Sequence, residues 1–388
     1  MKRNYNITVT SCFVGYIVQA VVNNFVPLLF VTLQSSYDIP LSRITLLVTV
    51  NFGVQLLVDL LATGFVDKIG YRVSIVAAHV FCAAGLFLLP VLPEVMTPFS
   101  GILTAVIIYA IGGGLLEVLV SPIMESCPTG NKEAAMSLLH SFYCWGHVGV
   151  VLASTLFFRL AGIENWKLLS CIWAVIPIVN GIIFLKAPIA PLIADGEKGM
   201  TMAELFKSRI FWLLMLMMIC SGASEQAVSQ WASALAEQGL GISKTAGDLA
   251  GPMAFAVFMG SARAFYGKFG ERLDLDKFMK GSLILCICSY LLISLSPLPA
   301  LSMVGCGLCG LSVGILWPGT FSKAAVALRR GGTAMFALLA LAGDLGCSGG
   351  PSLVGFVADL TGGGLMLGIL SAIVFPLVLL LCLCRKEK

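Results

Sequence analysis

The sequence predicts an all-α polytopic membrane protein with twelve transmembrane helices in two pseudo-symmetric six-helix bundles. Three observations carry this. Hydrophobic residues make up 58% of the 388 and charged residues 11%, a balance that a water-soluble fold has trouble exposing to solvent. The apolar residues gather into twelve runs, each near the ~20 residues a helix needs to cross a hydrocarbon core. A charged stretch after the second run, Gly64-Phe65-Val66-Asp67-Lys68-Ile69-Gly70-Tyr71-Arg72, also returns in weaker form as Ala264-Phe265-Tyr266-Gly267-Lys268-Phe269-Gly270-Glu271-Arg272. Lys68, Gly70 and Arg72 thus fall on Lys268, Gly270 and Arg272, as duplication would leave them.

The runs span about 7–33, 44–66, 73–93, 98–121, 134–158 and 167–187, then 209–235, 247–266, 279–296, 300–322, 332–357 and 363–384. An even number returns both termini to one side. Placing them in the cytoplasm puts 20 of the 24 Lys and Arg in inner segments, Arg263 among them, and leaves Arg43, Arg159, Lys167 and Lys244 outside. The net charge of +4 follows from that topology, and no nucleic-acid module is visible. Met1 to Phe25 has a charged start and an apolar run but no small-residue cleavage site, so it reads as the first membrane helix. The expected location is the plasma (cytoplasmic) membrane.

Residues 188–207 form the one sizeable linker, with Pro188, Pro191, Gly196 and Gly199 followed by Thr201-x-x-Glu204, a capping box that opens a short amphipathic lead. This divides the chain into an N-terminal half, 1–187, and a C-terminal half, 208–388, with the boundary near residue 195. The 13 Cys lie mostly inside apolar runs, where Cys behaves as a small hydrophobe. Cys306-x-x-Cys309 sits in a Gly-rich run with no companion pair or nearby His, which favours close helix packing over a metal site. No cofactor and no metal set is expected.

The pattern Gly64-x-x-x-Asp67-Lys68-x-Gly70-x-Arg72 after a second hydrophobic run resembles the loop signature of the major facilitator superfamily. In that family the loop joins helices 2 and 3 and its echo joins helices 8 and 9. The resemblance implies a secondary transporter built from two six-helix halves with substrate bound between them near mid-bilayer. It implies a conformational gate made by Gly64, Asp67, Lys68, Gly70 and Arg72. Read physically, the two glycines permit close approach and a tight turn, and the charges lie where water and headgroups solvate them.

Polar residues inside the runs mark candidate sites. The first run carries Gln19, Asn23 and Asn24, and buried amides need partners. Gly222-x-x-x-Gln226-Ala227-Val228 repeats Gly15-x-x-x-Gln19-Ala20-Val21 at an offset of 207, which sets Gln230 and Trp231 opposite Asn23 and Asn24. Two amide faces related by duplication suit a polar cavity with Trp231 as an aromatic platform; interhelical amide bonding is the alternative. Gln55 and Asp59 in the second run read as part of an intracellular latch or a polar helix contact.

The fourth run reads Gly112-Gly113-Gly114-Leu115-Leu116-Glu117 and then Ser121-Pro122. A Gly-rich fourth helix with a buried Glu and a Pro five residues later is similar to the fucose permease branch, the fucose/galactose/glucose proton symporters. Glu117 then corresponds to that branch's protonatable carboxylate and Asn23-Asn24 to its helix 1 amides. Where that branch has an Asp three residues after the Asn pair, this chain has Pro27. A carboxylate near the centre of a membrane helix costs roughly 3 kcal/mol, and such groups usually face a cavity.

In the fifth run His140, Tyr143 and His147 recur at spacings that put them on one face, where they bind substrate, relay protons or pack. Glu225 in the seventh run is the second candidate for a working carboxylate. Asp344, among Gly343, Gly346, Gly349 and Gly350 in the eleventh, is the third, with a hydrogen bond at a helix kink as its other reading. The expected function is proton-coupled uptake of a sugar or similar small polar solute by alternating access. Proton-driven efflux of drugs or metabolites is the alternative within that class, and a non-transporting sensor or scaffold the alternative outside it. An enzyme is not expected, since no nucleophile and base spacing or phosphate loop is present. The expected partners are the solute, protons and the lipid bilayer, with the chain a monomer.

Overall fold

The structure, a computed structural model, describes residues 4–39, 41–192, 199–232, 235, 249–362 and 364–384. Among the described residues it is helical throughout, with no strand. The first run is broken by Pro27, which has no N–H to return to the Asn23 carbonyl. It gives α1 (Asn6–Asn24), a 3-10 turn (Val26–Leu29) and α2 (Phe30–Tyr37). Then come α3 (Leu41–Ile69), α4 (Tyr71–Leu88), the short α5 (Leu92–Val95), α6 (Pro98–Ser126), α7 (Lys132–Ala161) and α8 (Trp166–Lys186).

The linker ends in α9 (Met202–Lys207), and α10 (Arg209–Ser229), a π-helical turn (Leu249–Met253) and α11 (Ala254–Phe269) follow it. The chain continues with α12 (Leu275–Leu295), α13 (Pro299–Val313), α14 (Leu316–Ala327), α15 (Gly332–Leu360), α16 (Leu365–Ser371) and α17 (Val374–Cys384).

Eleven helical stretches among the described residues are long and apolar enough to cross a membrane. The remaining run, 247–266, corresponds to the π-helical turn plus α11; residues 236–248, with Lys244, lie outside the described residues, as does the expected boundary near 195. The outer faces suit lipid. On α8, Ile172, Val175, Ile178, Val179, Ile182 and Leu185 are all exposed, an apolar strip no water-soluble helix of this length would present. The capping box forms as expected. Thr201 accepts from the Glu204 N–H, and the Thr201 N–H donates to the Glu204 carboxylate at 2.7 Å, which holds that carboxyl below its ordinary range.

Two compact units emerge from the packing. The first comprises Met1–Pro128, Trp145–Lys198 and Gly332–Ala337, the second Thr129–Cys144, Gly199–Gly331 and Leu338–Lys388. In the first unit α6 packs on α1, α3 and α4, and α8 on α1 and α4. Glycine allows the tightest of these contacts: a Cβ at Gly112 would lie 2.5 Å from the Ala78 carbonyl oxygen. In the second unit α13 packs on α11 and α12, and α10 on α14 and α17. Cys306 and Cys309 are buried thiols in α13, where a Cβ at Gly305 would meet Ile293 at 2.8 Å, so this stretch serves close packing.

The charged motif is tighter than a loop. Lys68 lies in the last turn of α3, and Gly70 alone separates α3 from α4, at φ 86° and ψ 151°, a region essentially reserved for glycine. Arg72 donates to the Phe184 and Leu185 carbonyls at 2.8 and 2.7 Å, capping the C-terminus of α8. The expected close approach at Gly64 is absent, since a Cβ there meets no described atom within 4 Å. The Asp67 side chain lies outside the described residues.

Candidate functional site

In the first unit the polar residues of α1, α3 and α6 converge. The amide of Gln19, 4% exposed, donates to Glu117 Oε2 at 2.8 Å. Asn23 Oδ1 accepts from Asn51 Nδ2 at 3.1 Å and from Gln55 Nε2 at 2.7 Å. One turn further along α3, Asp59 is fully buried, and a carboxylate oxygen of Asp59 lies within 4.8 Å of one of Glu117. Asn51, Gln55 and Asp59 are spaced by four and so form one ladder on α3. Gly113 and Gly114 bring that ladder close, because a Cβ at either would meet Gln55 within 3.4 Å. Tyr16 and Ser121 extend the cluster through a 2.8 Å hydroxyl pair. Asn24 turns its amide back to the Ala20 carbonyl at 2.8 Å.

The second unit is built around a residue assigned from sequence to an inner segment. Arg263 lies within α11, 4% exposed, and its guanidinium joins three other helices. Nη2 meets Glu225 Oε2 of α10 at 3.2 Å, and Nη1 reaches the His140 carbonyl at 3.3 Å and Cys144 Sγ at 3.1 Å, both on α7. Nε donates to the Gly314 carbonyl at 2.9 Å. That carbonyl is the one Pro318 leaves without its helical N–H partner, so the break between α13 and α14 and the placement of Arg263 have a common cause. Ser137 of α7 donates in turn to the Arg263 carbonyl at 2.8 Å. Counting Arg263 with solvated inner cations was therefore an error of depth.

The other expected residues of this unit are dispersed along its helices. His140 is buried with its ring 5.8 Å from that of Phe321, and Tyr143 is half-buried one turn along. Gln226 donates to Glu225 Oε1 at 3.5 Å. Gln230 is exposed at the C-terminal end of α10. The Trp231 indole N–H donates to the Pro351 carbonyl at 3.0 Å, which ties the ring to α15. Asp344 is half-buried on α15.

Sequence reasoning missed three members. Asn51 was legible in the four-residue spacing that it shares with Gln55 and Asp59. Arg263 was legible as a lone cation in an apolar run. Cys144 carried no signal, since nothing in an isolated Cys tells that a guanidinium will face it.

Chemically, the first cluster offers two neighbouring carboxylates with amide donors, and the second a buried ion pair that links helices. Among solved structures the chain resembles the E. coli fucose:proton symporter FucP, with a TM-score of 0.84 at 16% identity over 100% of both chains. It also resembles the proton:xylose symporter XylE, with a TM-score of 0.80 at 11% identity over 97% of this chain and 94% of that one. The human organic anion transporter MFSD10 follows with a TM-score of 0.73 at 16% identity, over 98% and 100%. No curated sequence matches significantly. Residues 12–351 match the profile of the Major Facilitator Superfamily, nearly the whole length, and the chain belongs to that family of integral membrane transporters.

Proposed function

We propose that this chain is a secondary transporter that couples uptake of a small polar solute, a sugar or close relative, to protons by alternating access. The observation that carries the reading is the pairing of Glu117 with Asp59 in the first unit. Two charges 4 Å apart interact by about 4 kcal/mol at an effective dielectric of ~20. Two carboxylates this close form the kind of pair that can share a single proton, which is the chemistry that proton coupling uses. The Gln19 amide on Glu117 lets that proton be felt at the α1 amides. Asp59 thereby takes the part of the acid absent at Pro27. Two of the solved structures that the chain resembles are named as sugar:proton symporters, which supports the substrate class.

In this reading Gln19, Asn23 and Asn24, with Gln226, Gln230, Trp231, His140 and Tyr143, contact the solute. Glu117, Glu225 and Asp344 are the proton-responsive carboxylates, with Asp59 added to them. Gly64, Asp67, Lys68, Gly70 and Arg72 form the gate between the halves 1–187 and 208–388. The protein works as a monomer in the plasma membrane with both termini cytoplasmic. The test is counterflow of labelled monosaccharides in proteoliposomes, with amino acids and cationic drugs as comparison sets. Counterflow of at least one sugar, faster at low external pH, is expected; counterflow confined to cationic drugs, or indifferent to pH, contradicts the reading.

A further inference from the structure

A groove of about 630 Å³ opens on the second unit between α11, α12 and α13, and none of its lining residues is among those assigned to transport above. Its walls are Phe265 and Phe278, whose rings stack at 6.3 Å and 22°. Ser261, Ala262, Gly281, Ser282 and Leu311 also line it. A Cβ at Gly281 would meet no described atom within 4 Å, so the space there is real and open. The Ser261 hydroxyl is turned to its own helix, donating to the Val257 carbonyl at 2.8 Å, and offers the groove little polarity.

One charge borders this apolar space. Lys277 stands in the first turn of α12 and is exposed; its backbone N–H is taken by Asp274, but among the described residues its ammonium forms no ion pair. Lys277, Gly281 and Leu285 follow at intervals of four on one face of α12, so the groove runs from the helix end inward by about 12 Å at 1.5 Å per residue. A cation at the mouth and a hydrocarbon lining behind it match an amphiphile whose head is anionic and whose body is a chain.

We propose that this groove binds one anionic phospholipid, its acyl chain lying along Ser261, Gly281 and Leu311 and its phosphate resting on Lys277. A water-soluble anion would find one cation and the Ser282 hydroxyl, and would leave the apolar lining unused. A zwitterionic lipid would bring the same phosphate but also a head-group cation that offsets it, and so would gain less from Lys277.

Native mass spectrometry of the full-length protein, released from micelles holding equal phosphatidylglycerol and phosphatidylcholine, tests this directly. The wild type is expected to retain phosphatidylglycerol about fivefold over phosphatidylcholine, the preference a single interfacial lysine supplies. Lys277→Gln should erase the preference, Lys277→Arg should keep it, and Gly281→Leu should lower retention of both lipids. Both positions are exposed, so monodispersity and melting temperature are expected to hold. Glycerol phosphate, which has the head without the chains, should not compete. Equal retention of the two lipids by the wild type, an unchanged preference in Lys277→Gln, or competition by glycerol phosphate would each overturn the proposal.

Discussion

Arg263 and Glu225 meet at 3.2 Å between α11 and α10, with only 5% and 14% of their side chains exposed. The same guanidinium holds α7 through the His140 carbonyl and Cys144 Sγ, and the α13–α14 break through Gly314. One guanidinium thus ties Glu225 of α10 to α11, α7 and the α13–α14 break. This is the arrangement that a proton-responsive carboxylate needs if its protonation is to move backbone rather than only a side chain.

Arg263→Gln should destabilise the protein by about 3–5 kcal/mol, because it leaves the Glu225 carboxylate buried without its cation. Arg263→Gln with Glu225→Gln should recover most of that loss, since neither charge then remains, yet should not recover proton-coupled uptake. Melting in detergent and uptake in vesicles separate the two effects. A double variant no more stable than the single one would show that Arg263 acts through Gly314, His140 and Cys144 rather than through Glu225.

Gly70→Ala should cost about 1–3 kcal/mol, the strain of holding an L-residue at a backbone conformation that only glycine adopts readily. Thermal denaturation reads this out. A variant that melts with the wild type would mean that the turn between α3 and α4 relaxes without penalty.

Trp231→Phe should lower stability by about 1 kcal/mol through loss of the bond to the Pro351 carbonyl while keeping solute affinity, because the aromatic face remains. Trp231→Ala should lower both. Binding isotherms for the two variants distinguish a platform for solute from a strut for α15, and equal affinity in Trp231→Ala and wild type would leave only the strut.

Much of this was legible beforehand, for a physical reason in each case. Length and hydropathy mark the membrane spans because the bilayer sets both, and the Thr201–Glu204 box is a local contact that spacing alone determines. Gln19, Asn23 and Glu117 stood out because polar groups are costly in apolar runs. What stayed hidden depended on partners distant in sequence: Asn51 meets Asn23 only once α1 and α3 are packed, and Asp59 approaches Glu117 only because Gly113 and Gly114 let α3 and α6 close. Arg263 was misjudged because charge counting assigns a cation to the nearest loop. Its burial depends on a carbonyl that Pro318, 55 residues later, leaves open.

The central claim is that a proton held by Glu117 and Asp59 travels with the solute. Its most direct test is the pH inside proteoliposomes carrying a trapped dye when a transported solute is added outside. Wild type is expected to acidify the lumen; Glu117→Gln and Asp59→Asn should each abolish that signal while retaining solute counterflow. Solute-driven acidification of wild-type size in both variants would contradict the account.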